Sequence, residues 1–251
     1  MQKVSIVIPV YNEALAIGEV LRRVCLAPLF GDAEKEVVVV DDGSTDETHQ
    51  CIKDFVDEHP HWVPMIKVHA GLINHGKGAA VRAGLKVATG DVIIIQDGDL
   101  EYSPNDYPKL LAPFADPAVT VVYGSRFLHG HPKGMRIANL VANKVLTLTT
   151  RVLYSQDMTD EATGYKVFRS SVLNDFELTS RGFEFCPEFT GKVLSAGHTI
   201  YEVPIDYNAR GILEGKKIKA RDGFIAMWWL VKTRIGAATS VDSAAVAQAR
   251  R

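Results

Sequence analysis

An α/β fold, with a mostly parallel central sheet covered by helices on both faces, follows from two features of this 251-residue chain. Strand-length apolar runs alternate with helical spacings through the first half, and the runs are apolar throughout rather than at every second residue. Strands buried on both faces read that way, and joining parallel neighbours takes crossover helices. At 47% apolar residues the chain has ample material for one large core.

Each element has its own justification. "KVSIVIPV" (3–10) is the first strand, and the spacing of Leu15, Val20, Leu21 and Val24 predicts a helix over 14–27. "EVVVV" (36–40) is a second buried strand; the polar "DDGSTDET" after it offers Ser44 or Thr45 as N-cap of a helix reaching Val56. "MIKVH" (65–69) is a third strand, "GKGAAVRAGLKVA" (76–88) a helix and "DVIIIQ" (91–96) a fourth strand. "SPNDYPKLLAPF" predicts a helix capped by Ser103 with Pro104 in its first turn, and "AVTVVYGS" (118–125) a fifth strand. Residues 134–154 carry one long helical pattern, followed by short segments ("TGYKVFR", "EFCPEFTGKVLSAG", "TIYEVPIDYN") and a final helix, "ARDGFIAMWWLVKTRI". No Gly/Ser or Pro-rich linker or repeat divides the chain. One domain over 1–235 is expected, with a nucleotide half (about 1–127) and an acceptor half (about 128–235), and a mobile tail at 236–251.

Composition removes several classes. A net charge of −2 lacks the basic excess of a nucleic-acid binder. Cys25, Cys51 and Cys186 are too widely spaced for a disulfide framework or zinc pattern and suit a reducing cytoplasm. The apolar run at the N-terminus is too short for a signal peptide, and no stretch reaches membrane-spanning length, so a soluble cytoplasmic protein is expected.

In an open α/β sheet, ligands bind beyond the carboxyl ends of the strands. Pro9, Tyr11 and Glu13, then Asp41 and Asp42, then Gln96-Asp97-Gly98-Asp99, then Arg126 all follow strands and should face one edge. Asp97 and Asp99 flank a glycine and can share one hard cation, Mg²⁺ or Mn²⁺, which offsets their repulsion; Glu101 adds a further oxygen, directly or through water. The alternative is a solvated acidic turn. Asp42 either accepts hydrogen bonds from a base or ribose edge or caps the following helix. Gly76-Lys77-Gly78 opens a helix as an anion site without P-loop spacing. Arg126, Arg136, Arg210, Lys216 and Lys217 are cations suited to phosphates. Asp160, Glu161 and Glu188 are candidates for a general base or acceptor contact, Glu188 with a buried salt bridge as its competing role. The final helix either packs on the core or rests on a membrane surface, with Phe224, Met227, Trp228 and Val231 on one face and Lys219, Arg221, Lys232 and Arg234 nearby.

Taken in order, "VSIVIPVYNE", "VVVVDDGSTDET", "NHGKGAAVRAGL", "IIIQDGDLEYSP", "VVYGSRF", "TDEATGYKVFR" and "EVPIDYNARGILEGKKI" resemble family 2 glycosyltransferases with the GT-A (Rossmann-like) fold, in the branch like dolichol-phosphate mannose synthase. The resemblance covers residues 4 to about 225. It implies an inverting, metal-dependent hexosyl transfer from a UDP- or GDP-sugar to a polyprenyl-phosphate, lipid or other hydroxyl acceptor. Pro9, Tyr11, Glu13 and Asp42 would line the nucleoside, Gly76 to Gly78 would bound it, and Gln96 to Asp99 would be the D-x-D element. Arg126, Arg210 and Lys216 would meet phosphates, and a hydroxyl acceptor would need Asp160 or Glu188 as base. Two positions depart from the pattern: Gly98 replaces a usual alanine, and Glu101 a usual glutamine. The implied location is cytoplasmic or peripheral on the cytoplasmic membrane, with homo-oligomer formation open. Two other readings compete: a haloacid-dehalogenase-type phosphohydrolase, with Asp97 as nucleophile, and a non-catalytic sugar-nucleotide-binding module.

Overall fold

The computed structural model describes residues 1–130, 132, 134–209 and 223–236. Among these, one sheet contains β1 (Lys3–Val10), β2 (Glu34–Asp41), β3 (Ile66–Ala70), β4 (Val92–Ile95), β5 (Val121–Ser125), β6 (Lys166–Arg169) and β7 (Ile200–Pro204), in the order β3-β2-β1-β4-β6-β5-β7. All neighbours pair parallel except around β6, which runs antiparallel to both β4 and β5. Thus "TGYKVFR", expected only as a short segment, supplies a strand that separates β4 from β5. Two strands from the half expected to bind acceptor, β6 and β7, complete the same sheet.

The β1–β2 pair aligns Lys3 with Glu34 through Val10 with Asp41, and β1–β4 aligns Val4 with Val92 through Val7 with Ile95. The chain leaves β1 for β2 and β3 on one side and returns to β4 on the other. The crevice at the ends of β1 and β4 is therefore the topological switch point, where open α/β sheets bind ligands.

Helices cover both faces. α1 (Ile17–Leu26), α2 (Thr48–Glu58) and the short α4 (Tyr107–Leu111) pack Leu21, Phe55 and Leu110 against Ile6, Ile8 and Ile94. On the opposite face, α3 (Lys77–Val87) and α6 (Phe185–Ser195) pack Val81 and Phe189 against Val7, Val38 and Ile95. A Cβ on Gly84 would meet Val7 Cγ1 at 2.5 Å, so that glycine sets how closely α3 lies on the sheet. α5 (Ile137–Tyr154) and a helix over 223–236, α7, share a small separate cluster of Leu146, Ala226 and Leu230.

Several boundaries differ from expectation for local reasons. α1 begins at Ile17 because Glu13 O receives both Ala16 N and Ile17 N, each at 2.9 Å. α2 begins at Thr48; Ser44 instead closes a turn on Asp41, and Thr48 Oγ1 donates to Asp46 Oδ1 at 2.5 Å. The 103–114 helix breaks into α4 flanked by 3-10 turns, with Pro104, Pro108 and Pro113 interrupting its backbone donors. No helix of the described residues is long and apolar enough to cross a membrane.

Candidate active site

The ends of β1 and β2 are tied together by side-chain bonds that regular pairing could not supply. Asn12 adopts φ 51°, a left-handed conformation that asparagine tolerates. Its N–H donates to Ser44 Oγ at 3.0 Å, and its Oδ1 receives Thr45 N at 2.8 Å. Glu13 N donates to Thr48 Oγ1 at 2.8 Å. Pro9 is buried in β1, whereas Tyr11 and Glu13 are half-buried at the crevice. Gly43, at φ +70°, lies under the 71–75 segment, whose Ile73 backbone would sit 2.5 Å from any Cβ there.

Asp42 does not cap α2. Its Oδ1 receives His75 N at 3.0 Å and its Oδ2 receives Gly76 N at 2.7 Å, anchoring the loop that enters α3. Each oxygen retains a lone pair for a ligand. The expected anion site at Gly76-Lys77-Gly78 is closed by protein: Gly78 N donates to Gly182 O at 3.1 Å and Ala79 N to Arg181 O at 3.0 Å. A Cβ at Gly76 or Gly78 would strike this 180–182 backbone, so these glycines serve loop packing. Glu188 holds that loop. Fully buried, it accepts from Thr179 N and Thr179 Oγ1 at 2.8 Å, Ser180 N at 2.9 Å and Lys192 Nζ at 2.7 Å. Burial raises its carboxyl, but these donors hold it below the usual range, an arrangement for anchoring rather than proton abstraction.

The Asp97-Gly98-Asp99 turn crosses the end of β1, where a Cβ on Gly98 would lie 3.2 Å from Pro9 O. Gln96 does not face the crevice. It is fully buried, accepts Tyr107 Oη at 2.7 Å and Tyr165 Oη at 2.8 Å on Oε1, and donates to Asp97 O at 3.0 Å. It fixes the turn from below. Asp97 Oδ1 receives Lys77 Nζ at 2.5 Å, with both side chains less than a fifth exposed. Burial opposes the Lys77 ammonium, but Asp97 at its side keeps it above the ordinary lysine range. Gly164, from the segment before β6, abuts Asp97 so closely that a Cβ would sit 2.5 Å from its Oδ2.

The acids do not converge as expected: no group of three or more His, Cys, Asp or Glu side chains among the described residues can hold a metal. Asp99 Oδ1 accepts Glu101 N at 3.0 Å, while Glu101 Oε2 accepts Tyr207 Oη at 3.0 Å. Glu101 thereby ties the turn to the segment after β7, supported by Asn208 N to Glu101 O at 2.9 Å. Asp97 and Asp99 are hard oxygen donors at a strand end, an incomplete set that fits Mg²⁺ or Mn²⁺ when a diphosphate supplies further oxygens.

Beyond the turn lies a buried ion pair. Arg126 follows β5 and donates to Asp160 through its backbone N at 3.0 Å, Nε at 2.7 Å and Nη2 at 2.7 Å. Asp160 is fully buried and Arg126 nearly so, with Tyr207 stacked 5.2 Å from the guanidinium. Asp160 therefore holds Arg126 rather than facing an acceptor, and in this conformation the Nε–Nη2 edge of the guanidinium is occupied. Arg136 is exposed at the start of α5. Arg210, Lys216, Lys217, Lys219 and Arg221 lie outside the described residues.

Behind this network Glu161, a candidate base or acceptor contact in the sequence, is buried with Lys166, a pairing the sequence did not indicate. Glu161 is fully buried and neither carboxylate oxygen has a hydrogen-bond partner. Lys166, also fully buried, donates to Glu161 O at 2.9 Å and lies 3.8 Å from the Tyr123 ring centroid. Burial pushes the Glu161 carboxyl up and the Lys166 amine down. The only sequence signal was the placing of charged residues against "TGYKVF", a run otherwise suited to a strand.

Comparison with known proteins agrees with this architecture. Residues 5–176 match the model "Glycosyl transferase family 2". Dolichol-phosphate mannosyltransferase of Pyrococcus furiosus is 29% identical over 221 residues, covering 85% of this chain and 59% of its own. Dodecaprenyl-phosphate galacturonate synthase of Rhizobium johnstonii is 26% identical over 211 residues, covering 83% of this chain and 60% of its own. The chain thus spans about three fifths of the length of these curated relatives. Among solved structures, glucosyl-3-phosphoglycerate synthase from Mycobacterium tuberculosis, in complex with phosphoglyceric acid, superimposes with TM-score 0.69 at 19% identity, covering 94% of this chain and 80% of that one. That likeness establishes a shared fold of the GT-A type. The phosphohydrolase reading of Asp97-Gly98-Asp99 gives way to the family match, whose span from β1 through β6 takes in the switch point and its acidic turn. The chain belongs to glycosyl transferase family 2.

Proposed function

We propose that this chain transfers a sugar, with inversion, from a nucleoside-diphosphate sugar to a polyprenyl-phosphate acceptor. The observation that carries the reading is the Asp97-Gly98-Asp99 turn at the β1–β4 switch point, crossing the end of β1 just before the half-buried Tyr11 and Glu13 and joined through Lys77 to the Asp42-anchored loop. Pro9, Tyr11, Glu13 and Asp42 line the nucleoside side. Asp97 and Asp99 would hold Mg²⁺ or Mn²⁺, which when bound supplies charge neutralisation for the departing diphosphate. Lys77, already on Asp97, adds a fixed positive charge beside the leaving group. The acceptor oxygen bonds to the anomeric carbon as its bond to the diphosphate breaks.

A phosphate acceptor is favoured because both candidate bases, Asp160 and Glu188, are enclosed and bound by other groups. A hydroxyl acceptor must lose a proton, whereas a phosphate monoester is already anionic. The printed names of two relatives, a dolichol-phosphate mannosyltransferase and a dodecaprenyl-phosphate galacturonate synthase, support the same acceptor class.

Thermal-shift titration with UDP and GDP, with and without Mn²⁺, tests the donor half. A nucleotide at 100 times its Kd should add about 2.7 kcal/mol of stability. Asp99→Ala should abolish the metal-dependent part. Absence of any nucleotide shift with Mn²⁺ rules out the donor assignment. Transfer to a simple alcohol as fast as to a short polyprenyl phosphate rules out the acceptor assignment. Metal-dependent nucleotide binding with neither transfer nor donor hydrolysis returns the chain to a binding module.

A further inference from the structure

The chain stays tied to its neighbours after β7 ends at Pro204. Ile205 N donates to Ser125 O at 3.1 Å, Asp206 N to Asp106 Oδ2 at 2.9 Å and Asn208 N to Glu101 O at 2.9 Å. Tyr207 forms an antiparallel bridge with Tyr102. The two-residue alternation of a strand continues through this segment: Ile205 is buried and Tyr207 half-buried, whereas Asp206 and Asn208 are exposed. These backbone ties fix where the Tyr207 side chain goes, between the acidic turn and Arg126.

Its hydroxyl and its ring serve different groups. The hydroxyl donates to Glu101 Oε2 at 3.0 Å, and Glu101 N in turn donates to Asp99 Oδ1 at 3.0 Å. Glu101 is thus the link between the phenol and a carboxylate of the acidic turn. The ring meets Tyr102 edge-on at 5.4 Å and lies 5.2 Å from the Arg126 guanidinium, which Asp160 holds from another side. Tyr102 closes the circuit: its Oη accepts Gly164 N at 2.8 Å, and Gly164 abuts Asp97 Oδ2. Both acids of the turn are therefore backed by this pair of tyrosines. Groups one bond removed from a metal ligand fix its orientation, and losing one costs about 10–100-fold in metal affinity or activity.

We infer that Tyr207 is a positioning residue for the transfer: its hydroxyl, acting through Glu101, orients Asp99 for the divalent cation, and its ring holds Arg126 for the phosphates. The inference rests on the donor reading above. Substitution separates the two roles, read as the thermal shift given by UDP or GDP across a Mn²⁺ titration of the full chain. Tyr207→Phe keeps the ring and loses the hydroxyl, so the Mn²⁺ concentration at half-maximal shift should rise about tenfold while the shift at saturating Mn²⁺ is retained. Tyr207→Leu should also lower nucleotide affinity at saturating Mn²⁺ by about two- to fivefold, the worth of one cation–π contact. Glu101→Ala should raise the Mn²⁺ midpoint at least as far as Tyr207→Phe, and adding Tyr207→Phe to it should raise it no further, because the hydroxyl acts through that residue. A Tyr207→Phe midpoint within about twofold of wild type overturns the inference, whatever happens to the ligand-free Tm, and leaves Tyr207 as packing alone. Full additivity of the two substitutions overturns it as well. A wild-type chain with no Mn²⁺-dependent nucleotide shift fails the donor reading itself and takes this inference with it.

Discussion

Asp160→Asn separates an anchoring carboxylate from a catalytic base. Asp160 is fully buried and receives three donors from Arg126, at 3.0, 2.7 and 2.7 Å. Asparagine keeps one acceptor oxygen but turns an amide NH₂ toward the guanidinium and removes the charge. The Arg126 side chain, 7% exposed, is left without its counter-ion. Breaking a buried pair from one side costs about 3–5 kcal/mol, because the surviving charge stays desolvated. For a chain of this size that lowers Tm by roughly 6–20 °C. Urea unfolding should show a lower midpoint with unchanged slope. Removing both partners, as Arg126→Met with Asp160→Leu, should recover most of the loss, since no charge remains buried. An Asp160→Asn protein with wild-type Tm but no transfer activity would refute this and restore Asp160 as the base.

Glu161→Gln should stabilise the protein at neutral pH and remove part of its pH dependence. Burial raises the Glu161 pKa on folding, so above its unfolded value the folded chain binds more protons and stability falls as pH rises through that window. Lys166, lowered by burial, acts oppositely at alkaline pH, where the unfolded chain binds more protons up to 10.5 and stability rises with pH. Urea midpoints across pH read both slopes; an unchanged acid-side slope in Glu161→Gln counts against the assignment. Gln96→Leu leaves the Tyr107 and Tyr165 hydroxyls unpaired in the core and should cost about 1–3 kcal/mol for each orphaned group, read as a Tm loss. A loss under about 1 kcal/mol would mean both hydroxyls find other partners.

The apolar runs at 3–10, 36–40 and 91–96 could hardly be anything but buried parallel strands, and polar residues following them had to gather at one edge. For that reason the sheet's first half, the switch point and the acidic turn were legible in residue order alone. Which acid faces ligand and which holds scaffold was not. Asp160 and Glu188 both read as candidate bases in the sequence, and the salt bridge that was Glu188's alternative is the role it takes, with Lys192; Arg126 lies 34 residues from Asp160 and Thr179 nine from Glu188. Gln96 looked like part of the D-x-D edge until Tyr107 and Tyr165 claimed it from below. β6 escaped because its four residues carry a buried lysine, and its direction depends on a gap left between β4 and β5. Periodicity is a property of neighbours along the chain, so it places strands, helices and their polar ends. A carboxylate's role depends on which donors reach it through space, and only the tertiary fold brings those donors near.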